Sequence, residues 1–447
     1  MSQSLWREFD YEKRGLPQFP KLQGRHKTDV LIIGGGLCGV LCAWFLEQAG
    51  VDYMLVEADT IGSGMTGNTT AKLTSQHNLI YGKLLHLVGK ERAAQYLRAN
   101  EEALSQYRIL AEMVDCDFEE KDAFVYTRSD RKKIEDEVEA VNALGFSADF
   151  RETLALPFPI KGAICFPGQA QFHPMKFLTG IAKGLNIYEH TFVQELAPHT
   201  AYIGAEPGEE RGEICADQII VATHFPFLNK HGGYFLKLYQ HRSYVLGLEG
   251  AQEVAGMYLD ESQEGLSFRN YGNLLLLGGG SHRTGAQGGG WQELRRFANQ
   301  YYAGAKEKYA WAAQDCMSLD GIPYIGAYSR RTAGLYVASG FGKWGMTSSM
   351  VAAKMLCDLV TGKEPQYRQL YDPARRMKKS QLFLNGTQAA VHLLTPSLRR
   401  CPHLGCALKW NPQEHSWDCP CHGSRFEEDG MLIDNPATGD AASLGRD

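Results

Sequence analysis

Residues 30–46 read VLIIGGGLCGVLCAWFL, a run of seventeen residues without a charge. The length is near the lower limit of a membrane span, but its interior glycines give a different reading. Gly34-Gly35-Gly36-Leu37-Cys38-Gly39 fits G-x-G-x-x-G. The VLII before it has the character of a buried strand, and residues 37–49 continue as a helix. A second strand, YMLVE, ends on Glu57. Strand, glycine turn, helix and strand-terminal acid together are what a dinucleotide-binding unit requires. Gly34 permits the tight turn. Gly36 lets the backbone approach a pyrophosphate at the helix N-terminus, Gly39 permits close packing of helix on strand, and Glu57 can accept hydrogen bonds from a ribose.

Outward from this unit, the chain has 447 residues and 44% hydrophobic content, enough for a sizeable core. The formal net charge of −5 gives no reason to expect a nucleic-acid partner. The opening residues MSQSLWREFDYEKRG are polar and lack the apolar core of a secretion signal. With no membrane span expected either, the reading is cytoplasmic. Helical periodicity covers about 89–115, 291–307 and 346–361. The segment 120–285 is richer in strands: AFVYTR, GAICFPG, ADQIIVAT and NLLLLGGG. GLYVASG (334–340) adds another strand, and the basic stretch PARRMKKSQ (373–381) reads as the start of a linker.

Seven of the eleven cysteines are scattered, and four fall between 401 and 421. That cluster is Cys401-Pro-His403-Leu-Gly-Cys406, followed by Cys419-Pro-Cys421-His422-Gly-Ser424. Two cysteines and two histidines suit a tetrahedral zinc site or an iron–sulfur centre in which thiolates hold one iron and imidazoles the other. Zinc requires neither the additional pair Cys406 and Cys421 nor the Gly-Ser that follows the last histidine.

Both regions resemble known families. The pair of boxes is similar, nearly letter for letter, to those of Rieske proteins. The resemblance implies Cys401 and Cys419 on one iron of a [2Fe–2S] cluster, His403 and His422 on the other, and a disulfide between Cys406 and Cys421. Phe426 stands where high-potential Rieske proteins carry a tyrosine hydroxyl, which implies a lower potential. Residues of about 28–370 resemble the D-amino-acid oxidase superfamily. The carriers are Gly62-Ser63-Gly64 with Asn68-Thr69-Thr70-Ala71-Lys72, then Asp320-Gly-Ile-Pro-Tyr-Ile-Gly326, then Gly340-Phe-Gly342-Lys343-Trp-Gly345-Met346. This resemblance decides for FAD over nicotinamide. It implies that Thr70 and Ala71 run past the flavin, with Gly342, Gly345, Met346 and Thr347 leading into a helix whose positive end faces it. Arg269 is the candidate partner of a substrate carboxylate, and Lys343, Lys72 and His282 are candidates near the flavin.

The expected architecture is α/β. A Rossmann-like FAD-binding domain with an interleaved mixed-sheet substrate domain spans 1–375, a linker 376–396, and a small all-β Rieske-type domain 397–447. The expected activity is oxidation of a small amine or amino acid by hydride transfer to FAD. Electrons then leave through the cluster to a one-electron carrier such as a ferredoxin. The alternatives are an oxygen-using amine oxidase with a structural or regulatory cluster, and a flavin–Rieske relay serving a separate oxygenase.

Overall fold

The computed structural model describes residues 4–8, 18–204, 211–228, 231–262, 265–377 and 379–441. Most of the polar opening segment read above lies outside them.

The VLII segment is the buried half of the strand Arg25–Ile33. It pairs in parallel with Tyr53–Val56 on one side and Glu213–Val221 on the other. Strands covered on both faces read as unbroken apolar runs, as VLII and YMLV do, and the third ends in the buried IIV of residues 219–221. Leu335–Ser339 extends the sheet in parallel beside Glu213–Val221, and Tyr324–Ala327 closes that side in antiparallel. The helix Leu37–Gln48 packs against the long helix Gly345–Val360, joining the glycine turn to the far end of the flavoprotein sequence.

The second sheet is mixed and carries the substrate side. Its order is Lys306–Ser318, Leu238–Glu249, Leu274–Arg283, Ser267–Tyr271, Met257–Asp260, Glu119–Thr127, Gly162–Gln171 and Lys72–Leu73. Chain order and sheet order interleave with those of the first sheet, as expected. The helix expected over 291–307 ends at Tyr301, and after Gly304 the chain enters the strand Lys306–Ser318. Register within this sheet decides which side chains share a face. Ser243 opposes Ala313, Arg242 opposes Gln314, and His241 opposes Asp315. Directly opposed residues point the same way and successive residues alternate. Ser243, Ala313 and Asp315 therefore face one side, and Arg242 and Gln314 the other.

The third sheet is the small antiparallel one expected at the C-terminus: Lys409–Asn411, Ser416–Asp418, Arg425–Phe426 and Leu432–Asp434. Phe426 is fully buried here in an apolar cluster with Cys401, Cys406, Cys419 and Cys421. The segment expected as a linker is largely helical, from Lys379 to Leu394. The helix is anchored where buried Asn385 donates to the carbonyls of Leu236 and Leu238 and accepts from Arg283. The basic start of this segment concealed the apolar residues further along. No helix among the described residues is long and apolar enough to cross a membrane.

Candidate functional site

Three glycines of the fingerprint do different work. Gly34 has φ +112°, and a β-carbon there would lie 2.6 Å from the Ala222 carbonyl oxygen. A β-carbon at Gly39 would overlap the Gly34 carbonyl. Both positions are thus fixed by packing within the protein. Gly36 is not: at the N-terminus of Leu37–Gln48, the nearest atom to its β-position is Thr66 Oγ1 at 3.5 Å. The open face at a helix N-terminus fits the pyrophosphate of FAD. Glu57 accepts from Gly35 N–H at 2.6 Å and Asp59 N–H at 3.0 Å, and a carboxylate has lone pairs left for a ribose hydroxyl.

Further along, Met65, Asn68, Thr69, Thr70 and Lys72 line a cavity, together with Trp344 and Met346 at the start of the helix Gly345–Val360. Ser243, Ser281, Asp315 and Lys343 line the same cavity. Thr347 lies behind the wall, where its Oγ1 donates to Thr74 O at 3.2 Å and meets His77 Nε2 at 3.1 Å. Tyr107 donates to Met346 O at 2.7 Å. The start of the helix is thus held from two sides. Gly342 adopts φ +59°, which puts Lys343 at the turn leading into the cavity. Burial pushes the Lys343 ammonium down, with Asp315 opposing that shift. Burial also pushes Lys72 down to about 7, reinforced by the charge of Arg269. His282 lies on the opposite face, stacked on Tyr244 with ring centroids 5.6 Å apart.

Arg269 makes backbone contacts beyond its expected role, through one of its nitrogens, while its buried Nε and Nη2 make no hydrogen bond to a described residue. It is fully buried, and its Nη1 donates to the carbonyls of Thr70 at 2.7 Å and Ala71 at 2.6 Å. Its guanidinium also sits over the rings of Trp6 and Tyr271. Ala71 is left-handed, at φ +53°, a conformation costly for a residue with a β-carbon. The arginine therefore fixes the loop that borders the cavity. Arg269→Ala is expected to cost about 3 kcal/mol of stability and to reduce FAD retention, measured by melting temperature and flavin absorbance after gel filtration. A variant with unchanged FAD content and melting but weakened substrate binding would return Arg269 to the carboxylate role.

The cluster boxes converge as well. The Cys401 and Cys419 thiols lie within hydrogen-bonding reach of each other, which lowers the Cys401 thiol and raises that of Cys419. The rings of His403 and His422 are 4.8 Å apart. Burial lowers both imidazoles, so they are neutral and able to bind metal at physiological pH. Neither ring nitrogen of the buried His422 makes a hydrogen bond of normal geometry to a described residue, although the Phe235 backbone lies beside the ring. Two adjacent thiols and two adjacent imidazoles, one of them orphaned in the interior, fit a [2Fe–2S] cluster with Cys₂ and His₂ ligation. Cys406 and Cys421 are joined in a disulfide. Their sulfurs also lie close to Cys419, but a disulfide leaves them no free thiolate for a metal.

The cluster lobe is seated on the flavin domain. Gln314 Nε2 donates to Gly423 O at 2.9 Å, and Asn435 donates to Thr223 O and Phe225 O. The ring of Phe225 lies against His403 and His422, and Phe235 against His422. Gly285 has no room for a β-carbon beside Pro420. Gln314, Asp315, Ser243, Ser281 and the interdomain acid Glu414 were not singled out in the sequence. The alternation Ala313-Gln314-Asp315 was the available signal.

Residues 29–359 match the FAD dependent oxidoreductase family, and residues 382–444 match the Rieske [2Fe-2S] domain. A Bacillus subtilis protein named as a Rieske 2Fe-2S iron-sulfur protein, YhfW, is 34% identical, with 94% of each chain covered. Glycine oxidase from Geobacillus kaustophilus has a similar fold, with a TM-score of 0.64 and 19% identity over 79% of this chain and all of that one. L-proline dehydrogenase from P. horikoshii gives a TM-score of 0.63 and 16% identity over 78% of this chain and 98% of that one. The chain belongs to the FAD dependent oxidoreductase family and carries a Rieske [2Fe–2S] domain at its C-terminal end.

Proposed function

We propose that the protein oxidises a small amine or amino acid and delivers the electrons through the cluster to an external one-electron carrier such as a ferredoxin. The observation that carries this reading is the strand Lys306–Ser318. Ala313 and Asp315 line the cavity, while Gln314 between them reaches Gly423, the neighbour of His422. A single layer of sheet thus separates the cavity from the cluster loop. When bound, FAD supplies a two-electron hydride acceptor and the cluster a one-electron store.

The protein's own residues supply the rest. Thr69, Thr70 and Met346 border the reacting space, and Lys343 offers an ammonium to an anionic substrate group. Asp315 offers a carboxylate to a cationic one. Glycine oxidase and L-proline dehydrogenase share the fold and by their names act on amino acids, which supports an amine substrate.

Anaerobic mixing of the holoenzyme with a panel of amines that includes glycine and L-proline tests the reading. The flavin should bleach, and the electron-spin signal of a reduced Rieske cluster should follow. A panel that leaves the flavin oxidised removes the amine assignment. A bleached flavin beside a permanently oxidised cluster removes the cluster as outlet.

A further inference from the structure

The cavity wall holds a directed chain of hydrogen bonds. Lys343 Nζ donates to Ser281 Oγ at 3.2 Å, Ser281 Oγ to Ser243 Oγ at 3.2 Å, and Ser243 Oγ to Asp315 Oδ2 at 3.4 Å. All four residues line the cavity, and they come from three strands and the loop before the helix Gly345–Val360. A carboxylate is expensive to bury unless something compensates it. Here the compensation is indirect, through two hydroxyls, so the carboxylate keeps acceptor capacity toward the cavity.

We propose that Asp315 is the base that takes the ammonium proton of the substrate, and that Ser243 and Ser281 hold it in register with Lys343. This rests on the amine reading above. An ammonium has no lone pair with which to form a carbon–nitrogen double bond, so its proton must leave before the carbon is oxidised. One N–H bond breaks and an O–H bond forms on Asp315. With the lone pair freed, the C=N bond can form as the adjacent C–H leaves with its electron pair, which FAD, when bound, would accept as a hydride. The product is an iminium ion.

The electrostatics agree with this role. Burial pushes the Asp315 carboxyl up to about 6, against the lowering influence of Lys343, the Ser243 hydrogen bond and Arg242. Such a group is ionised at neutral pH yet basic enough to accept a proton. The charged and titratable neighbours are Lys343, Arg242 on the far face of the adjoining strand, His241 in the opposed register position, the buried thiol of Cys316 next in the chain, and Lys72 elsewhere in the cavity lining. Burial holds His241 neutral, at about 3. Asp315 is therefore the anionic member of this group.

Two measurements test the proposal. Infrared difference titration of the oxidised, substrate-free holoenzyme should show a protonated-carboxyl band with a midpoint near pH 6. The band should vanish in Asp315→Asn, and its midpoint should rise in Lys343→Met. Stopped-flow bleaching of the flavin by glycine and by L-proline gives the second readout. Asp315→Asn should slow it roughly a hundredfold or more at pH 7 and remove the fall in rate below pH 6. A band that survives in Asp315→Asn, or bleaching at the wild-type rate, overturns Asp315 as the base. Failure of every amine to bleach even the wild type condemns the amine reading instead, and the infrared titration then decides whether Asp315 is the ionising group of the cavity.

Discussion

Cys419→Ser is expected to leave reduction of the flavin by substrate intact while turnover with a one-electron carrier collapses. Cys419 is fully buried beside Cys401, and the two supply the thiolate half of the ligand set. A serine oxygen is a harder and far less available anion than a thiolate, so iron incorporation should fail. The residues that form the flavin cavity belong to the separate sheets of the 29–359 region and do not depend on that ligand. Carrier-linked turnover should therefore fall at least roughly a hundredfold, while the anaerobic bleaching rate stays near that of the wild type. Iron analysis, stopped-flow absorbance and steady-state assay with a ferredoxin make the three readings. An oxidase would retain its turnover with oxygen in this variant. A relay serving another enzyme would show no amine-driven bleaching in either form. A folded, iron-free variant with full carrier-linked turnover would take the cluster off the main path.

How far the sequence led differed between the two halves of the problem. The glycine turn and the cluster boxes were legible because their chemistry needs fixed residue types at fixed local spacing. Gly34 and Gly39 cannot carry a β-carbon, and the spacing between Cys401, Cys406, Cys419 and Cys421 brings thiol beside thiol. The two strands that build the cavity wall were not legible. Leu238–Glu249 and Lys306–Ser318 carry Gln, Arg, His and Asp in their interiors, so they lack the apolar alternation of a half-exposed strand. The reason is that both faces are covered. One face turns Ser243 and Asp315 to the cavity, and the other turns Arg242 and Gln314 to the cluster lobe. The backbone contacts of Arg269 were not legible for a related reason. A lone arginine in an apolar strand gives no sign that it also holds backbone carbonyls, and here its Nη1 holds those of Thr70 and Ala71.

Glu414→Ala is expected to destabilise the protein by about 3–5 kcal/mol at neutral pH and to loosen the cluster lobe from the flavin domain. Glu414 sits between the strands Lys409–Asn411 and Ser416–Asp418 and is nearly buried. It accepts from Arg242 through both oxygens, from Tyr244 Oη at 3.0 Å and from Arg425 Nη2 at 2.9 Å. Arg242 and Tyr244 belong to the flavin domain, and Arg425 to the lobe. Without Glu414, Arg425 keeps Asp418 and Asp434 at 3.1 Å each, but Arg242 loses the carboxylate facing it among the described residues. The cost is that of an uncompensated buried cation rather than of one lost contact. Burial pushes the Glu414 carboxyl up, but Arg242 and Arg425 outweigh it and hold the group below its ordinary value. Its contribution is therefore fully present above an unfolded-state pKa of about 4.3 and is lost as pH falls through the lower folded-state value. Urea denaturation at pH 7 should separate wild type from Glu414→Ala by the full amount, and the gap should narrow toward pH 3. Because the change falls at the junction, the variant should melt in two steps, and flavin-to-cluster electron transfer should slow although FAD and iron contents are unchanged. A single unshifted transition at pH 7 would mean that the apolar contacts of Phe225 and Phe235 with the histidine loops hold the lobe without the ion pairs. In that case the buried charges serve to select the seating of the lobe rather than to strengthen it.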